Sequence, residues 1–372
     1  MNNINVNSNG LKKWGILDPI GKYPNPLTGE TYQNFYKNIN NRPGTYEEYA
    51  SKWSKLPVYS KRNEFIKTIS ENQVILVESG TGSGKTVLVP KFALHSSDYK
   101  ANIAVTIPKQ IIVKSSAIFA AKCLDVKIGK EVGYKYRGSP SDARSADTKL
   151  LFTTDGTIVA QLLNDPLIPQ YDMVIIDEAH ERNIQIDFLL LLLKETLKKR
   201  ADLKLIIMSA TINIDLFVNY FPKKEFKFAH LDAGSGTTFP IEDIFLSKSL
   251  GTNDKAILQK SVETAADIIK KADNDGDILV FVNHKGEGND GCQMLDQLLK
   301  NTNKNKINPY CGILASGVSK EDEKYATDVN TYKTLKNSGG KDYTIKVIFA
   351  TNVAESSLTV EGVKYVIDNG FE

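Results

Sequence analysis

A glycine-rich loop between two apolar stretches constrains this chain more than any other sequence feature. Residues 74–86 read VILVESGTGSGKT, and the stretch VLVPKFAL follows them. A strand, a glycine-rich turn and a helix in this order let backbone amides wrap a phosphate chain. Ser79 stands where the pattern GxxxxGK[ST] usually has its first glycine, and Gly80 follows it directly. The flanking strand and helix favour a phosphate-binding loop over a Gly/Ser linker.

The chemistry of the loop assigns a role to each of its residues. The backbone amides that would surround the phosphates belong to Gly80, Thr81, Gly82, Ser83 and Gly84. Lys85 would reach the outer phosphates, and the hydroxyl of Thr86 would bind Mg²⁺. We therefore expect ATP and Mg²⁺ as cofactors.

Short apolar runs alternate with longer amphipathic stretches from Leu56 onward, which is typical of a parallel sheet covered on both faces. The runs lie at 73–78, 102–107, 149–154, 171–177 and 202–210. After a Gly-rich stretch at 232–238, the pattern restarts with runs at 276–283, 309–316, 343–351 and 363–368. We therefore predict an α/β protein with two doubly wound parallel sheets in tandem, in domains 56–235 and 236–372. Residues 1–55 show little periodicity and predict an irregular extension, either draped over the first domain or loose.

Two adjacent acids end one of the predicted strands. The run YDMVIID closes with Asp177, and Glu178 follows it. Ligands bind at the carboxyl edge of open parallel sheets, and phosphate hydrolysis needs a carboxylate near magnesium and a group that activates water. We assign Asp177 to Mg²⁺ and Glu178 to the attacking water as general base, and we count both with Thr86 in the metal site. Without the upstream loop, a solvated turn would be the better interpretation.

Composition and charge leave the partner open. The net charge of +3 and the pI near 8.4 neither require nor exclude a polyanion. Cys123, Cys292 and Cys311 lie far apart without a CxxC pair, so we expect no disulfide, no zinc site and a reducing compartment. The N-terminus lacks the apolar core of a signal peptide, and the longest apolar run, 188–193, is too short for a bilayer. These features predict a soluble intracellular protein.

Several short motifs occur together in the order of a known family. The letters DEAH at 177–180, continued by ERN, resemble motif II of the DEAH-box helicases of superfamily 2. Five further segments resemble other motifs of this family: LPVYSKR at 56–62, TIPKQ at 106–110, TTDG at 153–156, SAT at 209–211 and ATNVAESSLTVEGVKYVID at 350–368. The resemblance covers nearly everything from residue 56 to 372. It implies two RecA-like domains, the second incomplete because the arginine-rich motif VI would follow residue 372.

The resemblance implies roles around the nucleotide. It places His180 against the SAT segment, so that His180, Ser209 and Thr211 would couple nucleotide state to domain motion, whereas a lone histidine is more often a buried one. It makes Arg62 a planar stacker on the base, which implies weak discrimination among nucleoside triphosphates. In the second domain the residues facing the nucleotide would be Asn352, Glu355 and Ser357.

The resemblance also implies contacts to a nucleic-acid strand. Our candidates are Lys109, Arg137, Thr154, Ser316 and Thr351. Motif Ia usually carries two arginines where this chain has Lys109 and Gln110, so one charge is lost. Such contacts position a strand without reading its sequence, and solvated loop ends are the alternative interpretation.

These features predict an ATP-dependent RNA helicase or translocase that acts as a monomer on single-stranded RNA and moves 3′ to 5′. A protein activator would act through domains that this chain lacks. Two alternatives stay open: a DNA-directed translocase of superfamily 2, and a nucleotide-gated clamp or pseudo-helicase. Without the arginines of motif VI, we expect the chain to bind nucleotide and hydrolyse it weakly.

Overall fold

The computed structural model describes residues 15–36, 45–80, 82–210, 214–234, 240–271, 276–302, 307–337, 339–356 and 360–371. The predicted site residues Thr81, Thr211 and Ser357 lie outside these ranges. The chain divides into two compact units, Met1–Glu242 (unit 1) and Asp243–Glu372 (unit 2). Within the described ranges, no helix has both the length and the apolar character that a membrane crossing requires.

Unit 1 is built on a parallel sheet of seven strands in the order β3-β4-β2-β5-β6-β1-β7. The strands are β1 Val74–Glu78, β2 Ile103–Thr106, β3 Val132–Lys135, β4 Leu150–Thr153, β5 Met173–Ile176, β6 Lys204–Ser209 and β7 Phe228–Asp232. The helices are α1 Tyr46–Trp53, α2 Pro57–Ser60, α3 Arg62–Glu71, α4 Lys85–Ser96, α5 Gln110–Leu124, α6 Asp155–Asn164, α7 Ile184–Lys199 and α8 Ile214–Tyr220. Short 3₁₀ turns lie at Gly15–Leu17, Ser141–Ala143 and Ala179–Glu181.

Both faces of the central part of this sheet are buried, because alternate side chains of its central strands enter different cores. In β1, Ile75 and Val77 enter the core formed with α1, α3, α4 and α5. Val74 and Leu76 enter the core formed with α6, α7 and α8. Every strand that we predicted in this unit is present, whereas the edge strands β3 and β7 were not predicted.

Unit 2 contains a parallel sheet of four strands in the order β11-β8-β10-β9. The strands are β8 Asp277–Phe281, β9 Pro309–Leu314, β10 Ile345–Ala350 and β11 Val363–Ile367, and they confirm the four predicted runs. The helices are α9 Asp254–Lys270, α10 Lys285–Thr302, α11 Lys320–Thr327 and α12 Val353–Ser356, and a 3₁₀ turn lies at Thr331–Thr334. One core lies under α9 and α10, and a smaller one under α11 and α12.

The cysteines of unit 2 correct one expectation. Cys292 on α10 and Cys311 on β9 form a disulfide, with their Cα atoms 5.8 Å apart. We expected no disulfide because the three cysteines lie far apart in sequence without a CxxC pair, and these two positions differ by 19. Packing of α10 against β9 brings the two positions together, and Cys123 of unit 1 is a buried free thiol.

The N-terminal region is more regular than we expected. Residues 46–53 form α1, whose first turn is closed by a capping box between Thr45 and Glu48. Ile16, Leu17 and Trp53 are buried in the core of unit 1. The described parts of this region therefore pack onto the first sheet.

A buried lysine joins α1 to the helix that follows the phosphate loop. Lys91 of α4 is fully buried, lies over the Trp53 ring with its Nζ 3.7 Å from the centroid, and donates to Cys123 O at 2.8 Å. Burial lowers the pKa of Lys91 from 10.5 to about 7. The folded state thus disfavours the charged form, and this penalty disappears as pH rises from about 7 to 10.5.

We therefore expect the unfolding free energy of the wild type to rise between pH 7 and 9 relative to that of Lys91→Met. The difference in unfolding free energy between the two proteins should grow with pH, with a slope of about 1.4 kcal/mol per pH unit at its steepest. Urea denaturation of both proteins across this range measures it. Parallel pH profiles would show that Lys91 does not titrate in this window.

Candidate active site

The order of the strands divides the candidate residues of unit 1 into two groups along one sheet edge. All the strands are parallel, so the residues that follow them lie at the same edge. The strand-contact candidates Lys109, Arg137 and Thr154 follow β2, β3 and β4. The nucleotide candidates follow β5, β6 and β1, on the other half of the sheet. The fold therefore separates the two predicted functions and makes them neighbours at the β2 and β5 boundary.

The phosphate loop has the backbone conformation that its glycines permit. Gly82 and Gly84 have φ of 76° and 93°, in the left-handed region that favours glycine. A Cβ at Gly84 would lie 2.5 Å from Leu56 Cδ1, so this position also requires close packing. Lys85 begins α4 and is buried, with 4% of its surface exposed. The loop thus directs a buried cation and a helix N-terminus toward one place.

Thr86 and Asp177 meet at the centre of the edge. The Thr86 hydroxyl donates to Asp177 Oδ2 at 2.7 Å, and Asp177 Oδ1 accepts from the Glu178 N–H at 2.9 Å. Asp177 is buried, and burial raises its pKa. A hydroxyl and a carboxylate are the hard oxygen ligands that Mg²⁺ prefers, so this donor set fits a magnesium ion.

Glu178 lies between two cationic or protonatable groups. Its φ of 53° is unusual for a residue with a side chain and ends β5 in a sharp turn. Glu178 Oε1 is 3.9 Å from Lys85 Nζ, and its Oε2 is 3.4 Å from His180 Nε2. Burial and then the charge of Asp177 raise the pKa of Glu178 to about 7. A carboxylate with a pKa near neutrality is suited to accept a proton from water.

His180 joins this carboxylate to the end of β6. Its Nδ1 accepts a hydrogen bond from the Ala210 N–H at 3.3 Å. Because Nδ1 is the acceptor, the neutral ring carries its proton on Nε2, toward Glu178. The contact falls within the SAT segment and is made by its middle residue, Ala210, whereas we had named Ser209 and Thr211. Ser209 is buried beside it. The coupling role of these residues stays a prediction.

The strand-contact side of the edge also contains charged side chains that we did not predict. Lys109 Nζ lies 3.9 Å from Glu181 Oε1, and Asp155 is buried, which raises its pKa to about 6. Thr154 is the N-cap of α6, and Arg137 is exposed on the turn after β3. An open cavity of about 490 Å³ lies here, lined by Pro108, Asp155, Gly156, Arg182, Asn183, Ile184 and Gln185. Asp155 is the acid within TTDG and Glu181 directly follows DEAH, so both acids stood at motif positions in the sequence.

In unit 2, three predicted residues lie at the carboxyl ends of two neighbouring strands. Ser316 is exposed on the turn after β9, and Thr351 follows β10. The Thr351 N–H donates to Leu314 O at 3.0 Å, which ties the two strand ends together. Asn352 is exposed beside them, and Glu355 lies on α12.

Arg62 begins α3 next to the phosphate loop. Its guanidinium carbon lies 4.7 Å from the centroid of the Tyr59 ring, and its Nη1 donates to Tyr59 O at 3.4 Å. The structure thus adds Tyr59, which we did not single out, to the surroundings of the predicted base-stacking residue. The letters YSKR already showed an aromatic residue three positions before the arginine.

The fold and the site define a nucleoside-triphosphate-binding domain of the phosphate-loop class. Residues 60–217 match the model of the DEAD/DEAH box helicase family.

Three relatives are named as ATP-dependent RNA helicases. The protein L540 of Acanthamoeba polyphaga mimivirus is 39% identical over 97% of this chain and 48% of its own length. HrpA of Borreliella burgdorferi is 37% identical over 85% of this chain and 36% of its own length. A DHX35 homolog of Caenorhabditis elegans is 32% identical over 90% of this chain and 44% of its own length. The chain thus spans less than half the length of each of these relatives.

Proposed function

We propose that this chain is the nucleotide-hydrolysing core of a DEAH-type ATP-dependent RNA helicase that couples hydrolysis to 3′-to-5′ movement on RNA or to its remodelling. One observation carries the proposal: a continuous series of contacts runs from Thr86 through Asp177 and Glu178 to His180 and the Ala210 N–H. The series joins the phosphate loop to a segment at the end of another strand. The names of the three relatives agree with an RNA substrate.

In the proposed reaction, Glu178 accepts a proton from the water that attacks the γ-phosphorus. The bond from this phosphorus to the bridging oxygen breaks, and the products are ADP and phosphate. Lys85 and the loop amides bind the negative charge on the phosphate oxygens. Magnesium, held by Thr86 and Asp177 when bound, would supply further neutralisation of this charge.

His180 would report this step to the rest of the protein. Its Nε2 faces the Glu178 carboxylate 3.4 Å away, and its Nδ1 is fixed by the backbone of residue 210. A change in the charge or position of Glu178 would therefore act through His180 on a backbone amide at the end of β6. We infer that the strand-contact half of the edge responds through the Lys109 and Glu181 pair, 3.9 Å apart.

The proposal is tested by the ATPase activity of the chain with and without single-stranded RNA, and with DNA of the same sequence. We expect RNA to stimulate phosphate release. Lys109→Ala should weaken this stimulation several-fold, because one charge–phosphate contact is lost. Lys199→Ala, an exposed lysine at the far end of α7, is the matched control and should respond like the wild type.

Two outcomes contradict the proposal. An ATPase that no nucleic acid stimulates or binds would leave a nucleotide-dependent switch, and stimulation by DNA alone would indicate a DNA translocase. Because this chain alone is expected to hydrolyse ATP weakly, the direction of movement is tested in a longer form that also carries the arginine-rich motif VI. The measurement is the displacement of duplexes that carry a 3′ or a 5′ single-stranded tail. We expect the 3′-tailed duplex to be displaced.

A further inference from the structure

The segment before α3 packs directly on the phosphate loop. Leu56 fills the space beside Gly84, where no Cβ could fit without displacing it. The Val58 N–H donates to Ser83 O at 3.4 Å. The position of Arg62 is therefore fixed relative to the loop through residues 56–61.

Tyr59 supports the Arg62 guanidinium within this segment. The centroid of its ring is 4.7 Å from the guanidinium carbon, and its carbonyl accepts from Arg62 Nη1 at 3.4 Å. The two contacts hold a planar cation against an aromatic face. A stacked base must lie parallel to the guanidinium plane. The two contacts with Tyr59 that hold the guanidinium would therefore set the orientation of the base.

The N-terminal region in turn fixes the Tyr59 ring. The Tyr59 hydroxyl donates to Leu17 O at 2.8 Å, and Leu17 is fully buried. The Trp53 ring packs against Tyr59 edge to face, with centroids 5.4 Å apart, and carries Lys91 of α4 on its face. These supports come from residues that precede the family match at 60–217.

We propose that Tyr59 is a positioning residue for the base of the nucleotide, and that the N-terminal region is thereby part of the nucleotide site. The inference rests on the proposed function through the assignment of Arg62 to the base. It predicts that Tyr59 affects ligands with a base and has no effect on ligands that carry phosphates alone.

The test compares ATP with inorganic tripolyphosphate, which lacks the base and ribose, as competitors of a fluorescent ATP analogue. We expect Tyr59→Leu to weaken ATP about tenfold, the size of a lost stacking or cation–π contact. Its tripolyphosphate affinity should match that of the wild type. In hydrolysis KM should rise with kcat nearly unchanged, and Tyr59→Phe, which keeps the ring, should restore most of the affinity.

Two variants separate this inference from the proposed function. Tyr220→Leu is the matched control. Like Tyr59, Tyr220 lies under a cationic side chain, with Lys194 Nζ 4.2 Å from the centroid of its ring, and its loss should leave ATP affinity unchanged. If Arg62→Ala leaves ATP affinity unchanged, the assignment of Arg62 in the proposed function is wrong. If Arg62→Ala weakens ATP and Tyr59→Leu does not, only the positioning role is wrong.

Two further results would overturn the positioning role. Equal losses for ATP and tripolyphosphate in Tyr59→Leu would indicate general damage to the loop. Additive losses of ATP binding free energy in the double variant Arg62→Ala/Tyr59→Leu would show that Tyr59 does not act through Arg62. The effects of two substitutions are expected to be non-additive when one residue acts through the other.

Discussion

Replacing Glu178 with glutamine is expected to slow ATP hydrolysis by about 10²- to 10⁴-fold, the contribution typical of a general base. Glutamine keeps the shape of the side chain and cannot accept the proton of the attacking water. Nucleotide affinity should stay close to that of the wild type, because the loop amides and Lys85 are unchanged. The substitution also removes a negative charge next to Asp177, whose own charge raises the pKa of Glu178.

Single-turnover hydrolysis with protein in excess measures this effect even when steady-state turnover is slow. Isothermal titration of ATP onto the same proteins measures affinity. Glu195→Gln, at an exposed glutamate on α7, is the matched control and should behave like the wild type. A Glu178→Gln rate within a few-fold of the wild-type rate would exclude the general-base role. Lost affinity with a normal rate would make Glu178 a partner that holds Lys85 in place.

The central strands could be predicted from sequence because they are buried on both faces and are therefore apolar throughout. The two missed strands, β3 and β7, lie at the edges of the first sheet. β7 reads FAHLD, in which only Phe228 and Leu231 are buried, and β3 reads VGYK over four residues. Neither offers a continuous apolar run, so pairing with a neighbour decides their conformation.

The order of parallel strands predicts at which edge of the sheet the site residues lie. It does not predict which side chains contact each other there. Asp177, Glu178 and Lys85 could be placed at one edge because parallel strands end there. The left-handed backbone of Glu178, which directs its carboxylate between Lys85 and His180, has no signature in the letters DEAH. Tyr59 and Glu181 stood at or beside motif letters, but their contacts with Arg62 and Lys109 depend on the folded geometry in the same way.

Long-range pairs were the least predictable feature. Cys292 and Cys311 carry no CxxC spacing, and only the packing of α10 on β9 brings them together. The capping box of α1 is the opposite case, since Thr45 and Glu48 stand at the required spacing in a region that we interpreted as irregular. A local signal was present there and was outweighed by the abundance of Asn, Gly and Pro.

A buried ion pair in unit 2 gives the second large effect. Lys346 Nζ lies 3.8 Å from Asp277 Oδ2, and both residues are buried. Asp277 Oδ1 also accepts from the Lys346 N–H at 2.8 Å and from the Tyr332 hydroxyl at 3.2 Å. Burial lowers the pKa of Lys346 and raises that of Asp277, so the loss of hydration outweighs the attraction between the two charges.

Asp277→Asn should therefore destabilise unit 2 by about 3–5 kcal/mol, because it leaves Lys346 buried without a counter-charge. Asparagine can still accept the two hydrogen bonds, so the loss of charge is the main change. The double variant Asp277→Asn/Lys346→Met should recover most of this loss, since buried pairs are often replaceable by neutral groups. Hydrogen exchange of β8 and β10 measures unit 2. Trp53 is buried in unit 1, and residues 243–372 contain no tryptophan, so tryptophan fluorescence gives an independent reading of unit 1.

Asp290→Ala, at an exposed acid on α10, is the control for a lost surface charge and should exchange like the wild type. Equal destabilisation in the single and double variants would show that the network is needed for its hydrogen bonds and shape, since Lys346 Nζ also donates to Asp328 O at 2.9 Å. An unchanged single variant would mean that Lys346 is neutral in the folded protein. Recovery in the double variant alone would identify the uncompensated charge as the cause of the instability.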